Sequence, residues 1–136
     1  MRPAPELLAP IDRRRAPVTV ALALEVASSA LLQAGRRSDE MRSVFVSAHG
    51  DLASTDCMCK TLAEAPTLMS PTKFHNSVHN AAAGYWSIAT GCMQASTALA
   101  AFERSFVAGL LEAATQCAAD AGAVLLVRYD MPACGP

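Results

Sequence analysis

Aromatic residues are scarce in this chain of 136 residues, in which one Trp, two Tyr and four Phe make up 5% of the positions. Charged residues are also few, at 17%, whereas 52% of the residues are hydrophobic, mainly Ala with Leu and Val. The low charge argues against a disordered chain, and the low aromatic content argues against an all-β sandwich. Small apolar side chains suit helices packed closely on a sheet, so the composition predicts one α/β domain.

Excess positive charge is absent as well. The formal net charge is −1 and the only basic run is Arg13-Arg14-Arg15, so nothing indicates nucleic-acid binding. The apolar stretch 18–35 contains Glu25, which disfavours a secretion signal, and the stretch is too short and interrupted to span a membrane. An odd number of scattered cysteines favours reduced thiols in the cytoplasm. They are Cys57, Cys59, Cys92, Cys117 and Cys134.

Proline separates a short lead-in from the domain. Residues 1–17 carry four of the 8 prolines and are predicted to be irregular, whereas residues 18–132 form the domain. Periodicity and breakers predict helices over 18–33, 54–65, 76–89 and 104–121, and strands over 43–48, 96–102 and 123–129. Ser54 or Thr55 is the expected cap of the second helix. This alternation predicts a parallel three-stranded sheet with helices on both faces, small enough to need a partner or further chain to complete its core.

The segment from Ser70 to Ile88 concentrates unusual residues, because it holds the only Trp, two of the three His and Gly84. Glycine inside a helix costs about 1 kcal/mol relative to Ala, so Gly84 predicts a close backbone approach. His75 and His79 would share one face of a continuous helix. The chain lacks the further ligand spacing of a zinc site, so we expect no metal and assign these histidines to hydrogen bonding. Asn80 is expected to serve a buried loop.

Three stretches of the chain carry a family resemblance. They are Val44-Phe45-Val46-Ser47-Ala48-His49-Gly50-Asp51, the segment 70–88, and Ser105-Phe106-Val107-Ala108-Gly109-Leu110-Leu111-Glu112-Ala113-Ala114. In this order the chain resembles the N-terminal half of β-ketoacyl synthase-like proteins, which have the thiolase-type fold. It is most similar to the small ketosynthase-like proteins of polyene pigment pathways. The resemblance implies a thiolase-like half-domain that is incomplete relative to the family.

The same resemblance locates the catalytic position. When Asn80-Ala81-Ala82-Ala83-Gly84 is laid on the similar family stretch and the register is continued without gaps, the nucleophilic cysteine position falls on Glu103. Cys92 precedes the strand instead of following it. The resemblance therefore implies a non-catalytic, chain-length-factor-like subunit that supports acyl-chain elongation. The alternative is a β-ketoacyl-acyl-carrier-protein synthase or decarboxylase with an unusual active site, which would use Glu103, His79 or Cys92.

The resemblance also implies partners. Members of the family dimerise through the strand corresponding to 96–102, so we expect a homodimer or a heterodimer with a catalytic ketosynthase subunit, together with an acyl carrier protein. The candidates for substrate binding are His75, Asn80 and Phe102. No cofactor is expected.

Overall fold

The computed structural model describes residues 5–132, so Cys134 and the first four residues of the lead-in lie outside the described part. The helices are α1 (Pro10–Arg15), α2 (Val18–Ala34), α3 (Leu52–Glu64), α4 (Pro71–Ser77), α5 (Ala81–Thr90) and α6 (Ser105–Asp120). The strands are β1 (Arg42–Val46), β2 (Ser96–Leu99) and β3 (Val124–Arg128). None of the described helices is long and apolar enough to cross a membrane.

The three strands form one parallel sheet in the order β2-β1-β3. Phe45 in the central strand lies opposite Ala98 on one side and Val127 on the other. Parallel neighbouring strands require crossover connections. Helices α3 to α5 connect β1 to β2, and α6 connects β2 to β3. The predicted α/β class, with its parallel sheet, is confirmed.

Side chains of β1 alternate between two helical layers. Phe45 is fully buried on the face covered by α2 and α5, where its ring centroid lies 6.3 Å from that of Trp86. Val44 and Val46 point the other way and pack with Ala113 of α6. Because a strand alternates its side chains, a continuous apolar run is what a sheet covered on both faces requires. Trp86 is therefore a core residue.

The close backbone approach occurs at a different glycine from the predicted one. Apart from its chain neighbours and the nearby backbone of its own helix, a Cβ on Gly84 would have no heavy atom within 4 Å, so the prediction for this residue was wrong. On Gly109 of α6, a Cβ would overlap Cγ2 of Val46. The helix packs this closely on the central strand because glycine presents no side chain there.

Two helix starts differ from prediction. The lead-in contains α1, whose first residue is Pro10, because a proline at this position already has helical φ and loses no intrahelical hydrogen bond. Leu8 and Ala16 flank this helix and are buried in the main core. Helix α3 is capped by Asp51, whose side chain accepts from the Ser54 N–H, and not by Ser54 or Thr55.

The helix predicted over 76–89 is two helices. Helix α4 ends at Ser77, and Val78 is extended, with φ of −69° and ψ of 140°. Helix α5 starts only at Ala81, so residues 78–80 form a bend between the two. The strand predicted over 96–102 ends at Leu99, because the backbone turns sharply at Ala101 and Phe102.

Candidate functional site

The carboxyl edge of the sheet is built around the loop that follows β1. The Ser47 hydroxyl donates to Oδ1 of Asp130 at 2.8 Å and accepts from the Gly50 N–H at 2.8 Å. The Ala48 N–H also donates to Oδ1 of Asp130, at 2.9 Å. Gly50 has a φ of 66°, which suits glycine in a tight turn. These bonds tie the ends of β1 and β3 together and give the loop a defined shape.

His79 lies beneath this loop, in the bend between α4 and α5. Its Nε2 is 2.8 Å from the Ser47 carbonyl oxygen, so the proton lies on Nε2 and is donated. Gly50 packs against His79, since a Cβ on Gly50 would lie 3.7 Å from the His79 Cα. The role in backbone hydrogen bonding predicted for the histidines is the one His79 performs.

The turn between β2 and α6 is strained. Phe102 has a φ of 51°, in the left-handed region that a bulky residue rarely adopts. The Ser105 hydroxyl holds the turn by accepting from the Ala101 N–H at 2.9 Å and donating to the Phe102 carbonyl at 2.6 Å. The exposed Phe102 ring meets His49 edge-on, with centroids 5.7 Å apart. The loops after β1 and β2 therefore come together at this edge.

Glu103 follows in a single 3-10 turn, Phe102–Arg104, directly before α6. Its side chain is exposed and makes no hydrogen bond or ion pair with any residue in the described part of the chain. The start of a helix favours negative charge, so a carboxylate is electrostatically stable there. The structure thus places Glu103 in the turn between β2 and α6, one residue before the residue that caps α6.

Cys92 lies at the opposite edge of the sheet. It is buried, and its thiol donates to the carbonyl of Met41, which directly precedes β1, at 3.3 Å. This edge carries the amino ends of the strands, whereas Glu103 lies beyond their carboxyl ends. Cys92 therefore has the setting of a structural thiol, because reactive cysteines lie in partly exposed, electropositive surroundings.

The candidates for substrate binding do not form one site. His75 and Asn80 line the same groove on the outer side of α4 and α5, and Phe102 lines no part of it. Asn80 is exposed and its side chain makes no capping bond, so the buried-loop role predicted for it was wrong. His75 and His79 do not share a helical face, because α4 ends between them. In residues 5–132, no group of three acidic, His or Cys side chains could hold a metal ion.

Asn76 is a polar anchor that the sequence analysis did not single out. It is buried, its amide donates to the Arg15 carbonyl at 3.0 Å, and its Oδ1 accepts from the Tyr85 hydroxyl at 3.1 Å. Asp51 is the other such residue, because its Oδ1 accepts from Thr19 at 2.9 Å. The bonds from Asn76 to Arg15 and from Thr19 to Asp51 join parts of the chain that are far apart in sequence, so no local pattern could have indicated them. For Asp51 there was one local signal, its position three residues before Ser54, which is typical of a helix cap.

Tyr129 closes the core beneath the carboxyl edge. Its ring lies 6.4 Å from that of Phe45, and its hydroxyl is 3.5 Å from the His79 carbonyl oxygen. Burial, together with the negative charge of Asp130, raises the pKa of Tyr129 to about 12. The phenol is therefore neutral near pH 7 and packs in the core.

Comparison with known proteins decides the family. The family model for the β-ketoacyl synthase N-terminal domain matches residues 1–135. The chain belongs to this family.

A solved structure supports the assignment of this chain to the ketosynthase family. It is described as a ketosynthase (ApeO) in complex with its chain length factor (ApeC) from Xenorhabdus doucetiae. The matching chain is 31% identical, with a TM-score of 0.79, and the alignment covers 94% of our chain and 52% of that chain. Our chain thus spans about half the length of this relative. A search of curated proteins finds no match.

Proposed function

We propose that this chain is a non-catalytic, chain-length-factor-like subunit that supports acyl-chain elongation in polyketide- or fatty-acid-type biosynthesis of the polyene pigment kind. The observation that carries the proposal is the composition of the turn before α6. Residues 100–104 are Ala, Ala, Phe, Glu and Arg, so this turn contains no thiol. The nearest cysteine in sequence, Cys92, is buried at the other edge of the sheet.

A carboxylate at this turn does not replace a thiolate. Acyl transfer between thioesters keeps the acyl group at nearly constant energy, whereas attack by Glu103 would give an anhydride that water hydrolyses. The Glu103 side chain is also exposed and makes no hydrogen bond or ion pair with any of the described residues. Its surroundings therefore lack the activating group that covalent catalysis needs.

The partners proposed are a catalytic ketosynthase subunit and an acyl carrier protein. The matching solved structure pairs a ketosynthase with a chain length factor, which supports a heterodimer. In our chain, β2 is an edge strand of the sheet. Large apolar side chains of the turn that follows it and of α6 are exposed by half or more, namely Phe102, Leu110, Val107 and Leu111. An apolar surface of this kind favours coverage by another protein surface.

The free edge of β2 allows a direct test of the dimer. The carbonyls of Ala95 and Leu99 accept from β1, so strand alternation directs the Ala98 N–H away from β1 and toward the open edge. Ala98→Pro removes this donor and leaves the ladder to β1 complete. We expect it to abolish association with a catalytic ketosynthase in analytical ultracentrifugation, while circular dichroism of the isolated chain is unchanged. Full association by the proline variant would contradict dimerisation through β2.

Catalysis is tested with an activated acyl thioester and intact-mass spectrometry. We expect no acyl adduct that depends on Cys92 or Glu103 at pH 7.5, and no loss of product when Glu103→Gln is combined with a catalytic ketosynthase. An adduct that Cys92→Ser removes and Cys59→Ser retains would overturn the non-catalytic assignment and favour an enzyme with an unusual nucleophile.

A cytoplasmic location is part of the proposal. The four cysteines in the described part of the chain are free thiols. Free thiols suit a reducing compartment. Fractionation of cells that produce the tagged full-length protein tests this assignment.

A further inference from the structure

Two adjoining grooves run along the outer side of α4. The first encloses about 740 Å³ between the lead-in and α5, and its walls are mainly apolar, with Leu8, Ala81 and Ile88 among them. The second encloses about 580 Å³ between the end of α1 and the starts of α3 and α4. Arg15 and Thr72 line both grooves, so the two form one continuous depression. Each volume is within the range of small-molecule sites, roughly 300–1,000 Å³.

Positive charge is concentrated in the second groove. Arg14, Arg15 and Lys73 line it, all three are exposed, and none has an ion-pair partner among residues 5–132. The hydroxyl-bearing residues Ser70 and Thr72 lie beside them. Unpaired cations that converge on one depression attract an anion, and guanidinium groups bind carboxylate or phosphate with two parallel hydrogen bonds.

Two carboxylates border the grooves and must be weighed against these cations. Asp51 is buried, and its two oxygens already accept from Thr19 and from the Ser54 N–H. Asp12 lies in the apolar groove, where its charge helps burial to raise the pKa of Tyr85. The apolar groove thus holds one carboxylate, that of Asp12, beside Arg15. The basic groove holds three cations and Asp51, whose two carboxylate oxygens already accept hydrogen bonds. The favourable position for an anion is the basic groove.

Hydrogen bonds fix the wall between the two grooves in the folded chain. The buried Asn76 amide bonds the Arg15 carbonyl and the Tyr85 hydroxyl, which fixes the end of α1 to α4 and α5. The His75 ring lies edge-on to Tyr85, with centroids 5.9 Å apart. An apolar groove and a cationic groove are therefore held side by side in the folded chain. Neither is lined by the turn that contains Phe102 and Glu103.

We infer that the joined grooves bind a small amphiphile, whose anionic headgroup lies among Arg14, Arg15 and Lys73 and whose apolar tail lies along α5. The shared chemistry is a carboxylate or phosphate on an alkyl or aryl tail. This site is independent of the catalytic status of the chain, and its occupancy does not depend on the proposed subunit role.

The probes are decanoate, decyl phosphate and decanol, each kept below its critical micelle concentration, with binding to the full chain measured by calorimetry. Both anions are expected to bind, and the comparison of decyl phosphate with decanoate identifies the preferred headgroup. Decanol is expected to bind about tenfold or more weakly, since it lacks the charge-assisted bonds. The Arg14→Gln/Lys73→Gln double variant should lose about tenfold in affinity for the anions and leave decanol unchanged. Arg36→Gln, an exposed arginine outside both grooves, is the matched control and should bind normally.

The tail is tested at Gly84, which lines the apolar groove and has room for a side chain. Gly84→Leu fills the groove and should abolish binding of both anions, whereas Gly84→Ala should retain it. Equal binding of decanol and decyl phosphate, or normal binding by the Gly84→Leu variant, would overturn the inference. So would binding only to anionic vesicles and not to the monomeric probes, since that result would indicate a membrane surface instead.

Discussion

Gly109 offers a sharp test of the packing between α6 and the sheet. Gly109→Ala places a methyl group on Cγ2 of Val46, which is fully buried in the central strand. Overpacking of this kind costs about 1–3 kcal/mol. Alanine in a helix interior returns roughly 0.5–1 kcal/mol relative to glycine. We therefore expect a net loss of about 1–2 kcal/mol in the free energy of unfolding.

Gly84→Ala is the matched control, because it makes the same substitution inside a helix with no heavy atom within 4 Å of the new Cβ. It should stabilise the chain by about 0.5–1 kcal/mol, which separates the two variants by roughly 1.5–3 kcal/mol. Urea denaturation followed by the fluorescence of Trp86, the only tryptophan, measures both. The midpoints should change while the slope stays constant, and several protein concentrations should be compared to detect any contribution from association.

A double-mutant cycle identifies the cause of the loss. Val46→Ala alone leaves a cavity and should destabilise the chain by about 2 kcal/mol. Combined with Gly109→Ala it should cost at least about 1 kcal/mol less than the sum of the single changes, because the new methyl group then has space. A Gly109→Ala variant as stable as Gly84→Ala, or strict additivity in the cycle, would refute the assigned contact between α6 and β1.

Three further predictions concern single polar groups. Asn76→Ala should lower the free energy of unfolding, measured by urea denaturation, by about 1–3 kcal/mol, because the groups that bond to this buried amide lose their partner. At the exposed Asn80, the same substitution should change the free energy of unfolding by no more than about 0.5 kcal/mol. Because burial raises the pKa of Tyr129 to about 12, the unfolded state ionises first as the pH rises above about 10, and stability should fall between pH 10 and 12. Tyr129→Phe should flatten that fall, and an unchanged slope would contradict the burial of the phenol. In the folded chain, iodoacetamide should modify the exposed Cys59 well before the buried Cys92, as peptide mass mapping can show; equal rates would contradict the bond to Met41.

Local sequence patterns determined the three strands, the long helices α2, α3 and α6, and their order along the chain. The periodicity of residues 18–33 predicted the first long helix, and the alternation of strands and helices predicted a sheet covered on both faces, as found for β1. The distinctive segment 70–88 established the family resemblance, which the family model confirms. These signals are read correctly because they depend on residues near one another in the chain.

Long-range packing decided what the sequence could not. The glycine that permits a close approach is Gly109 and not Gly84, since only the position of Val46 across the fold distinguishes them. Asn76 acquired partners 61 and 9 residues away, and Cys92 came to lie at the sheet edge opposite Glu103. Chain topology brings such groups together or separates them, and no local pattern of side chains encodes that distance.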